Sequence, residues 1–411
     1  IVSVIYIIHV VHSWFKKMKI VIVESPNKCK KIQSYLGSGW IVKASAGHIR
    51  DLPKSEMGVE APGYKPEYLV SDRAKKNVNE LKKLCKTAEV TYLATDLDRE
   101  GEAIAWHLED ELKLKNYHRI TFQEITEKSV KAAVANPRKL DMDLVAAQEA
   151  RRIVDRLVGY SVSGVATKLC SLKSPKSAGR VQSPTLRVVV DREREIKDFK
   201  VDLHYGISAF FNNDGEEWKA KWKFETLLDK ESHYWTDKEA IKQFKETLDN
   251  ERRFLIQNIS KEEKSQRPPP PFTTSSLQQG ASIALKLDPE ETMKLAQTLF
   301  EKGLITYHRT DSAFLSSECV ESIRSWLTSY SEKKNLVSLV PSSPNIFQAK
   351  GNAQEAHEAI RPTDINASIL KEGSDAEKKF YNLIWTRTVV SQMSACRNEH
   401  SKITLLSAAR F

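Results

Sequence analysis

Four carboxylates fall within seven residues of the chain, at Asp96, Asp98, Glu100 and Glu102. They follow the apolar run 90–95 and open a helical pattern, so we expect them where a strand ends and a helix begins. Negative charges at this density repel one another unless a cation lies among them, and hard carboxylate oxygens favour magnesium. The alternative is a solvated acidic turn whose charges complement the helix dipole.

Glu24 also follows a short apolar run, 20–23, and precedes Lys28 by four residues. Open α/β sheets gather their ligand sites at the carboxyl ends of parallel strands, so Glu24 and the acidic segment 96–102 are expected to converge. The sequence therefore predicts a magnesium site, at which the metal could also neutralise a phosphodiester.

Tyr307 and Arg309 form a second candidate site, in the segment 303–312. A tyrosine hydroxyl is a poor nucleophile at its ordinary pKa, so covalent phosphoryl chemistry needs neighbours that stabilise the phenolate or the transition state. Arg309 is a candidate for that role. Without other observations, the pair is more typical of an ordinary strand end than of a catalytic site.

His357 and Arg361 lie in one short segment closed by Pro362. Arg361 stands where a zinc-protease H-E-x-x-H motif would have its second histidine, which disfavours that class. The segment is either a helix end with a cation or a phosphate-binding pair.

Arg152, Arg156 and Tyr160 are spaced i, i+4, i+8, which places them on one helix face, and Asp155 is one turn from Arg151 and Arg152. Such a face is either a surface with salt bridges or a site that holds a phosphate and stacks a base. The loop of small residues at 177–182 would let backbone N–H groups approach phosphates closely.

The elements that must position these residues change along the chain. Residues 18–150 alternate strand and helix patterns, and residues 140–200 are mostly helical and basic. Aromatic and polar residues alternate over 201–259, which predicts antiparallel strands, and the prolines 268–271 form a stiff connector. A helical domain is expected from Ser276 to about Met393, followed by the start of a strand.

Composition narrows the class of protein. A chain of 411 residues with a net charge of +10 suggests several domains and permits a polyanionic partner. Five cysteines without a C-x-x-C pair argue against a disulfide framework or a cysteine-based zinc ribbon and predict a reducing, cytoplasmic setting. The apolar stretch at residues 1–11 is too short to span a membrane, and residues 1–17 are expected to be an extraneous or disordered extension.

Six motifs together resemble the bacterial type IA DNA topoisomerase I family, in that family's order from residue 18 to the end. They are Val23 to Lys28, Ala46 to Pro53, Ala94 to His107, Ser177 to Ser183, Gly303 to Ser312 and His357 to Thr363. The resemblance implies a multidomain fold of α/β, α and β parts in a clamp-like architecture. Its expected parts are a Toprim α/β domain at 18–146, the first part of a helical DNA-binding gate domain at 147–201, an incomplete β-rich hinge domain at 202–267 and 393–411, and a helical domain with the catalytic tyrosine at 268–392.

The resemblance also implies the chemistry: ATP-independent relaxation of negatively supercoiled DNA. Tyr307 would attack a phosphodiester of single-stranded DNA and form a 5′-phosphotyrosyl intermediate, with Lys28, Arg309 and His357 assisting. The implied ligands of Mg²⁺ are Glu24, Asp96, Asp98 and Glu100, and Glu24 would also manage a proton. No P-loop motif is present in the sequence, in keeping with the absence of an ATP requirement.

The family's DNA contacts correspond to residues in several segments of this chain, including the helix around Arg152, the loop 177–182 and the segment around Tyr307. The implied DNA-binding residues are His48, Arg151, Arg152, Asp155, Arg156, Tyr160, Thr167, Ser177, Ala178, Gly179, Arg180, Val181, Gln182, Arg309 and Arg361. Two positions depart from the family pattern. This chain has His308 where the family usually has Met, and Thr167 where the family often has Trp. The expected partner is DNA, with no membrane association, and the protein is expected to be a monomer near the bacterial nucleoid.

Two alternatives remain open. The chain ends where the β-rich domain should resume, so it could be a catalytically incomplete fragment that binds single-stranded DNA. Another Toprim enzyme, such as a primase or nuclease, is disfavoured because those enzymes need no covalent tyrosine, whereas Tyr307 lies within a matching motif.

Overall fold

The computed structural model describes residues 18–169, 177–224, 228, 234–250, 253–347 and 357–407. The predicted extension 1–17 lies outside these residues. The chain forms two compact units: residues up to Arg180 with Arg267–Ala395, and Val181–Gln266 with Cys396–Phe411. The proline connector 268–271 lies directly after the point where the chain re-enters the first unit. The finer division into four domains stays a prediction.

The first unit is built on a four-stranded parallel sheet in the order β2-β1-β7-β8. Its strands are β1 (Lys19–Val23), β2 (Trp40–Ala44), β7 (Val90–Ala94) and β8 (Tyr117–Arg119). Along the chain, four two-residue strands lie between β2 and β7: β3 (Arg50–Asp51), β4 (Val59–Glu60), β5 (Lys65–Pro66) and β6 (Leu69–Val70). This sheet confirms the predicted α/β domain.

Nine helices accompany this sheet in the described part of the first unit. They are α1 (Pro26–Leu36), α2 (Asp72–Thr87), α3 (Arg99–Leu112), α4 (Glu127–Ala135), α5 (Met142–Leu169), α8 (Thr274–Leu285), α9 (Pro289–Glu301), α10 (Ser317–Lys334) and α11 (Asp375–Ser391), in a numbering where α6 and α7 belong to the second unit. No helix in the described ranges is long and apolar enough to cross a membrane.

Alternate residues of β1 face two different cores. Val21 and Val23 pack in a cluster with Ile32 of α1 and with Phe300 and Tyr307. The intervening residues of β1 pack with α2 and α3 in a second cluster. Side chains of a strand alternate between the two faces of its sheet, so the central strand is covered on both sides, as its continuous apolar sequence requires. The first cluster packs the sheet, α9 and the segment after α9 that carries Tyr307 into one body.

The second unit contains α6 (Gln182–Asp198), the hairpin β9 (Ser208–Asn213) with β10 (Glu216–Lys221), α7 (Lys238–Asn250), and the antiparallel pair β11 (Phe254–Gln266) with β12 (Cys396–Ser407). Asp214 and Gly215 link the hairpin with positive φ values of 51° and 90°, the backbone that a tight two-residue turn needs. The antiparallel strands were predicted for this region, but α7 was not.

Gly101 fixes how α3 leaves the sheet. A Cβ at this position would lie 2.7 Å from the backbone nitrogen of Asp96 and would overlap its carbonyl oxygen. Only a residue without a side chain lets the first turn of α3 lie directly against the strand end. The acidic loop 95–98 is therefore folded tightly back onto its own helix.

We expect Gly101→Ala to lower the free energy of unfolding by about 1 to 3 kcal/mol, because the added methyl group overpacks this contact. Gly159→Ala is the control, since Gly159 lies within α5 and nothing would lie within 4 Å of its added Cβ. There we expect a gain of up to about 1 kcal/mol from helix propensity. Urea denaturation followed by circular dichroism measures both, and equal stability of Gly101→Ala and the wild type would contradict the tight packing.

Candidate active site

In the acidic loop after β7, the two carboxylate oxygens of Asp98 have different partners. As the N-cap of α3, Asp98 accepts a hydrogen bond from the Gly101 amide at its Oδ1 (2.8 Å). Its Oδ2 accepts a hydrogen bond from the Tyr307 hydroxyl at 2.6 Å. Arg309 approaches the same oxygen at 3.5 Å. The structure thus brings the predicted tyrosine, arginine and acidic loop together.

Tyr307 is almost fully buried, with 3% of its surface exposed. Its ring packs edge-on against Phe300 at a centroid distance of 5.2 Å, and its amide donates to the carbonyl of Gln123 at 2.7 Å. Burial, followed by the charges of Asp98 and Asp96, raises the pKa of the Tyr307 phenol above its ordinary value. In this arrangement the hydroxyl is a protonated hydrogen-bond donor.

Lys28 lies beneath the acidic loop as a fully buried cation. It is on α1, which begins directly after β1 because Ser25 caps the helix and Pro26 favours its first turn. Its Nζ forms an ion pair with Asp96 and lies 4.8 Å from the centroid of the Phe300 ring. A buried ammonium group needs such a partner, so Lys28 and Asp96 hold each other in place.

Glu24 follows β1, next to the residues that follow β7 in the same parallel sheet. Burial, and then the charge of Asp96, raises the pKa of Glu24 to about 7, although Lys28 acts in the opposite direction. A carboxyl group that resists ionisation beside Asp96 and Asp98 is a place where an added cation would relieve repulsion.

Glu100 points away from this group. Its Oε2 lies 3.3 Å from Nε2 of His48 and accepts a hydrogen bond from Gln148 at 3.1 Å. The hydrogen bond from His48 is the main cause that lowers the pKa of Glu100, to about 2. Among the described residues, no three His, Cys, Asp or Glu side chains form a ready metal-holding group. The predicted four-carboxylate magnesium shell stays a prediction.

Glu102, the fourth carboxylate of the acidic segment, has a separate position. It is buried, and it pairs with Arg119 at 3.0 Å and with Arg138 at 2.6 Å. It also accepts a hydrogen bond from the amide of Asp141. Part of the charge density that the sequence suggested for a metal is therefore neutralised by arginines inside the fold.

A cleft of about 1070 Å³ opens beside the tyrosine. Its lining includes Arg151, Arg309 and His357, which the sequence had singled out. Sequence reasoning missed other polar residues of the lining: Arg99, Thr273, Thr274, Ser275, Gln278 and Asp311. The only signal for Thr273 was its N-cap position before α8, which marks a helix start rather than a binding site.

His357 and His308 are both held neutral by their surroundings. His357 is buried beside the cleft, and burial is the first cause that lowers its pKa. Burial, followed by the charges of Arg309 and Lys28, lowers the pKa of His308 to about 3. His308 packs beside Phe300 at a centroid distance of 5.9 Å. Although this chain has His where the family usually has Met, the side chain at this position is still buried and uncharged.

The predicted face of α5 lies against the protein. Arg156 donates to the carbonyls of Pro53 and Glu56, and it stacks on Tyr160 at 4.6 Å. The Tyr160 hydroxyl donates to the carbonyl of Lys54 at 2.6 Å. The three residues share one face as predicted, but the bonds of Arg156 and Tyr160 fix the loop 53–56 on α5.

The remaining polar contacts of α5 are ion pairs and local bonds. Arg152 pairs with Asp51 at 2.6 Å, and Asp155 pairs with Arg180 at 2.8 Å. The Thr167 hydroxyl donates to the carbonyl of Ser163.

The loop 177–182 begins beside α5, where the amide of Ala178 donates to the Ser163 hydroxyl at 2.9 Å. Ser177, Gly179 and Arg180 complete the part of the loop in the first unit, whereas Val181 and Gln182 lead into α6 of the second unit. The predicted approach of this loop to a phosphate stays a prediction.

Arg361 does not line the cleft. It is buried between carboxylates, with Glu124 at 3.0 Å and Glu358 accepting a hydrogen bond at 2.7 Å. These contacts join the segment after β8 to the segment that carries His357.

The fold and the site combine a parallel α/β sheet with a buried tyrosine that bonds to an acidic loop at the ends of its strands. A family profile described as DNA topoisomerase matches residues 139–411, and one described as Toprim domain matches residues 19–125. The chain belongs to the bacterial type IA DNA topoisomerase I family, as the motifs predicted.

Three relatives illustrate the similarity. A protein named "DNA topoisomerase I, plasmid" from Xylella fastidiosa (strain 9a5c) is 44% identical over 383 residues, which cover 92% of this chain and 56% of that protein. DNA topoisomerase 1 of Rickettsia bellii (strain RML369-C) is 44% identical over 399 residues, covering 92% of this chain and 49% of that protein. The structure of full-length topoisomerase I from Thermotoga maritima matches with a TM-score of 0.78 and 38% identity, covering 95% of this chain and 63% of that one. The chain thus spans about half the length of the curated relatives it matches.

The pKa of Glu24 yields a prediction about stability. In chelator, the folded state holds a proton on Glu24 that the unfolded state releases above its ordinary pKa of 4.5, so stability should fall as pH rises from 4.5 toward 7. Glu24→Gln removes this loss because glutamine does not titrate. At pH 8 its free energy of unfolding should exceed that of the wild type by about 1 to 3 kcal/mol, with a smaller difference at pH 4.5. Urea denaturation at both pH values measures the difference. A difference that does not change with pH would show that Glu24 titrates normally.

Proposed function

We propose that this chain performs type IA topoisomerase chemistry: transient cleavage of one DNA strand by Tyr307, strand passage, and religation without ATP. The observation that carries the proposal is the hydrogen bond from the Tyr307 hydroxyl to Asp98 within an acidic, partly buried loop. Asp98, Arg309 and His357 also line the adjoining cleft. A tyrosine, a proton acceptor and cations beside a cleft are what phosphoryl transfer to a hydroxyl requires.

In the first step, the Tyr307 oxygen attacks the phosphorus, and its proton leaves along the existing hydrogen bond toward Asp98. The 5′-phosphotyrosyl bond forms as the bond to the 3′-oxygen breaks, and that oxygen takes up a proton to leave as a hydroxyl. Glu24, or a water molecule bound to it, is the candidate donor. Arg309 lies at the cleft, where its charge can offset the developing negative charge of the phosphoryl oxygens.

The chemistry of the carboxylates suits a divalent cation of the magnesium type, although the described residues would have to rearrange to group three of them around one. Glu24, Asp96 and Asp98 supply hard oxygen ligands, and their mutual repulsion contributes to the raised pKa of Glu24. Glu100 would have to leave His48 to join them. When bound, magnesium would supply positive charge that offsets the charge of the scissile phosphodiester.

A single-strand-binding fragment without cleavage activity is the second candidate. One observation favours this candidate. The match to the Xylella fastidiosa relative covers 92% of this chain but only 56% of that relative. Both candidates bind single-stranded DNA through the cleft, whose basic residues suit a phosphate backbone. They differ in whether Tyr307 reacts.

Covalent trapping tests the reaction. We expect the chain, incubated with magnesium and a 3′-end-labelled single-stranded oligonucleotide, to retain label on a denaturing gel, because the 5′ end of the downstream fragment stays on Tyr307. Tyr307→Phe should abolish the adduct, whereas Tyr330→Phe, which changes an exposed tyrosine on α10, should leave it intact. A folded, DNA-binding wild-type chain that forms no adduct would leave the fragment as the correct description.

Single-strand affinity tests the cleft. Arg151 is exposed and lines it, so Arg151→Ala should weaken oligonucleotide binding and reduce the salt slope by about one unit. Arg156→Ala is the matched change further along α5. There we expect lower thermal stability with an unchanged salt slope, because Arg156 is buried against backbone carbonyls. Fluorescence anisotropy in chelator at several salt concentrations measures both slopes. The reverse ranking would place the DNA on the other side of α5.

A further inference from the structure

Arg119 lies behind the acidic loop and takes no part in the chemistry described above. It is the last residue of β8 and is fully buried. Its Nε donates to Glu102 at 3.0 Å, which balances its charge. The other two nitrogens of the guanidinium group point at backbone carbonyls.

These carbonyls belong mainly to the end of β7 and the loop that follows it. One terminal nitrogen donates to the carbonyls of Leu93, Thr95 and Ile120, at 3.1, 2.8 and 2.7 Å. The other donates to the carbonyl of Asp96 at 2.7 Å. Thr95 and Asp96 lie beyond the last paired residue of β7, where the sheet no longer supplies partners. A single side chain therefore fixes two consecutive peptide groups of the loop.

The opposite side of the loop is fixed by α3. The Thr95 hydroxyl donates to the carbonyl of Gly101 at 2.6 Å, and the Gly101 amide donates to Asp98. A side chain at position 101 would overlap Asp96, so the helix and the loop are already in contact. The loop is held between α3 and Arg119, with Asp96 facing Lys28 and Asp98 facing Tyr307.

We propose that Arg119 is a positioning residue for DNA cleavage: its hydrogen bonds to the carbonyls of Thr95 and Asp96 hold Asp96 and Asp98 in register with Lys28 and Tyr307. This inference rests on the proposed function. Arg119 does not touch the substrate, and its effect passes through the loop. A lysine here keeps the charge for Glu102 but lacks the planar set of donors that reaches four carbonyls.

Arg138 provides a matched control. It also pairs with buried Glu102, at 2.6 Å, so its loss disturbs the same ion-pair network. Its guanidinium hydrogen bonds go to Glu102 and to the carbonyl of Lys139, away from the acidic loop. A general loss of stability from Glu102 should appear in both variants, whereas a loss of loop position should appear only when Arg119 changes.

The experiment compares Arg119→Lys and Arg138→Gln with the wild type. Peptide-resolved hydrogen exchange over 95–102 reports loop position, oligonucleotide affinity in chelator reports binding, and single-turnover adduct formation reports cleavage. For Arg119→Lys we expect hydrogen exchange over 95–102 to be about 10-fold to 100-fold faster. We expect cleavage to be slower by about the same factor, because small displacements of reacting groups have effects of that size. Affinity should stay within about twofold, and Arg138→Gln should match the wild type in all three measurements.

Unchanged exchange in Arg119→Lys, or faster exchange with unchanged cleavage, would overturn the proposal. So would equal losses of cleavage in both variants. If Arg119→Lys fails to fold, the double variant Arg119→Gln/Glu102→Gln removes both buried charges and is judged by the same measurements. If the wild type forms no adduct, the proposed function fails, and the exchange comparison alone then decides whether Arg119 holds the loop.

Discussion

The candidate site depends on one constraint: carboxylates of like charge are held next to each other at the ends of two adjacent parallel strands. Val23 and Ala94 are paired in register, so the residues that follow them, Glu24 and the acidic loop, leave the sheet side by side. Repulsion between them must be offset within the fold. Lys28 does so for Asp96, and the Tyr307 hydroxyl and Arg309 do so for Asp98. For Glu24, burial and then the charge of Asp96 raise its pKa, so part of the repulsion is not offset.

This compensation also joins distant parts of the chain. Lys28 reaches both Asp96 and the ring of Phe300 on α9, and Asn27 beside it donates to Glu301 at 2.7 Å. The amide of Tyr307 donates to the carbonyl of Gln123. The position of the tyrosine is therefore set by contacts with the sheet domain as well as by its own segment. A displacement of α9 and the segment after it would remove the Tyr307 hydroxyl from Asp98 and the Phe300 ring from Lys28 together.

The sequence predicted the parts of this arrangement that follow local rules. Short apolar runs before Glu24 and Asp96 predicted parallel strands, and the structure has β1 and β7 there. The helix α7 was missed because its apolar residues, Ile241, Phe244 and Leu248, lie in a region where tryptophans suggested alternating strands.

The partners of the charged residues could not be predicted in the same way. Arg361 pairs with Glu124, and Glu100 turns to His48, through contacts that depend on tertiary packing rather than on spacing. The contact between Tyr307 and Asp98 spans 209 positions of the chain, and the residue types supplied no signal for it. Family resemblance pointed to both residues, but their hydrogen bond is a property of the fold.

Under the proposed function, the same geometry would keep Tyr307 inactive as a nucleophile until a substrate arrives. The Tyr307 hydroxyl is buried, and the pKa of its phenol is raised, so little phenolate is present in this arrangement. Its acceptor, Asp98, is also the residue that would take up the proton in the proposed attack. The partner most free to move is Arg309, whose side chain is 57% exposed at the cleft. A phosphodiester entering beside Arg309 would bring its own negative charge, and that charge can be accommodated only if cations are added or the existing pairs rearrange. In the proposed reaction, charge balance would thus link the readiness of the tyrosine to the presence of DNA, because the groups that keep the hydroxyl protonated are those that a bound phosphate would have to engage.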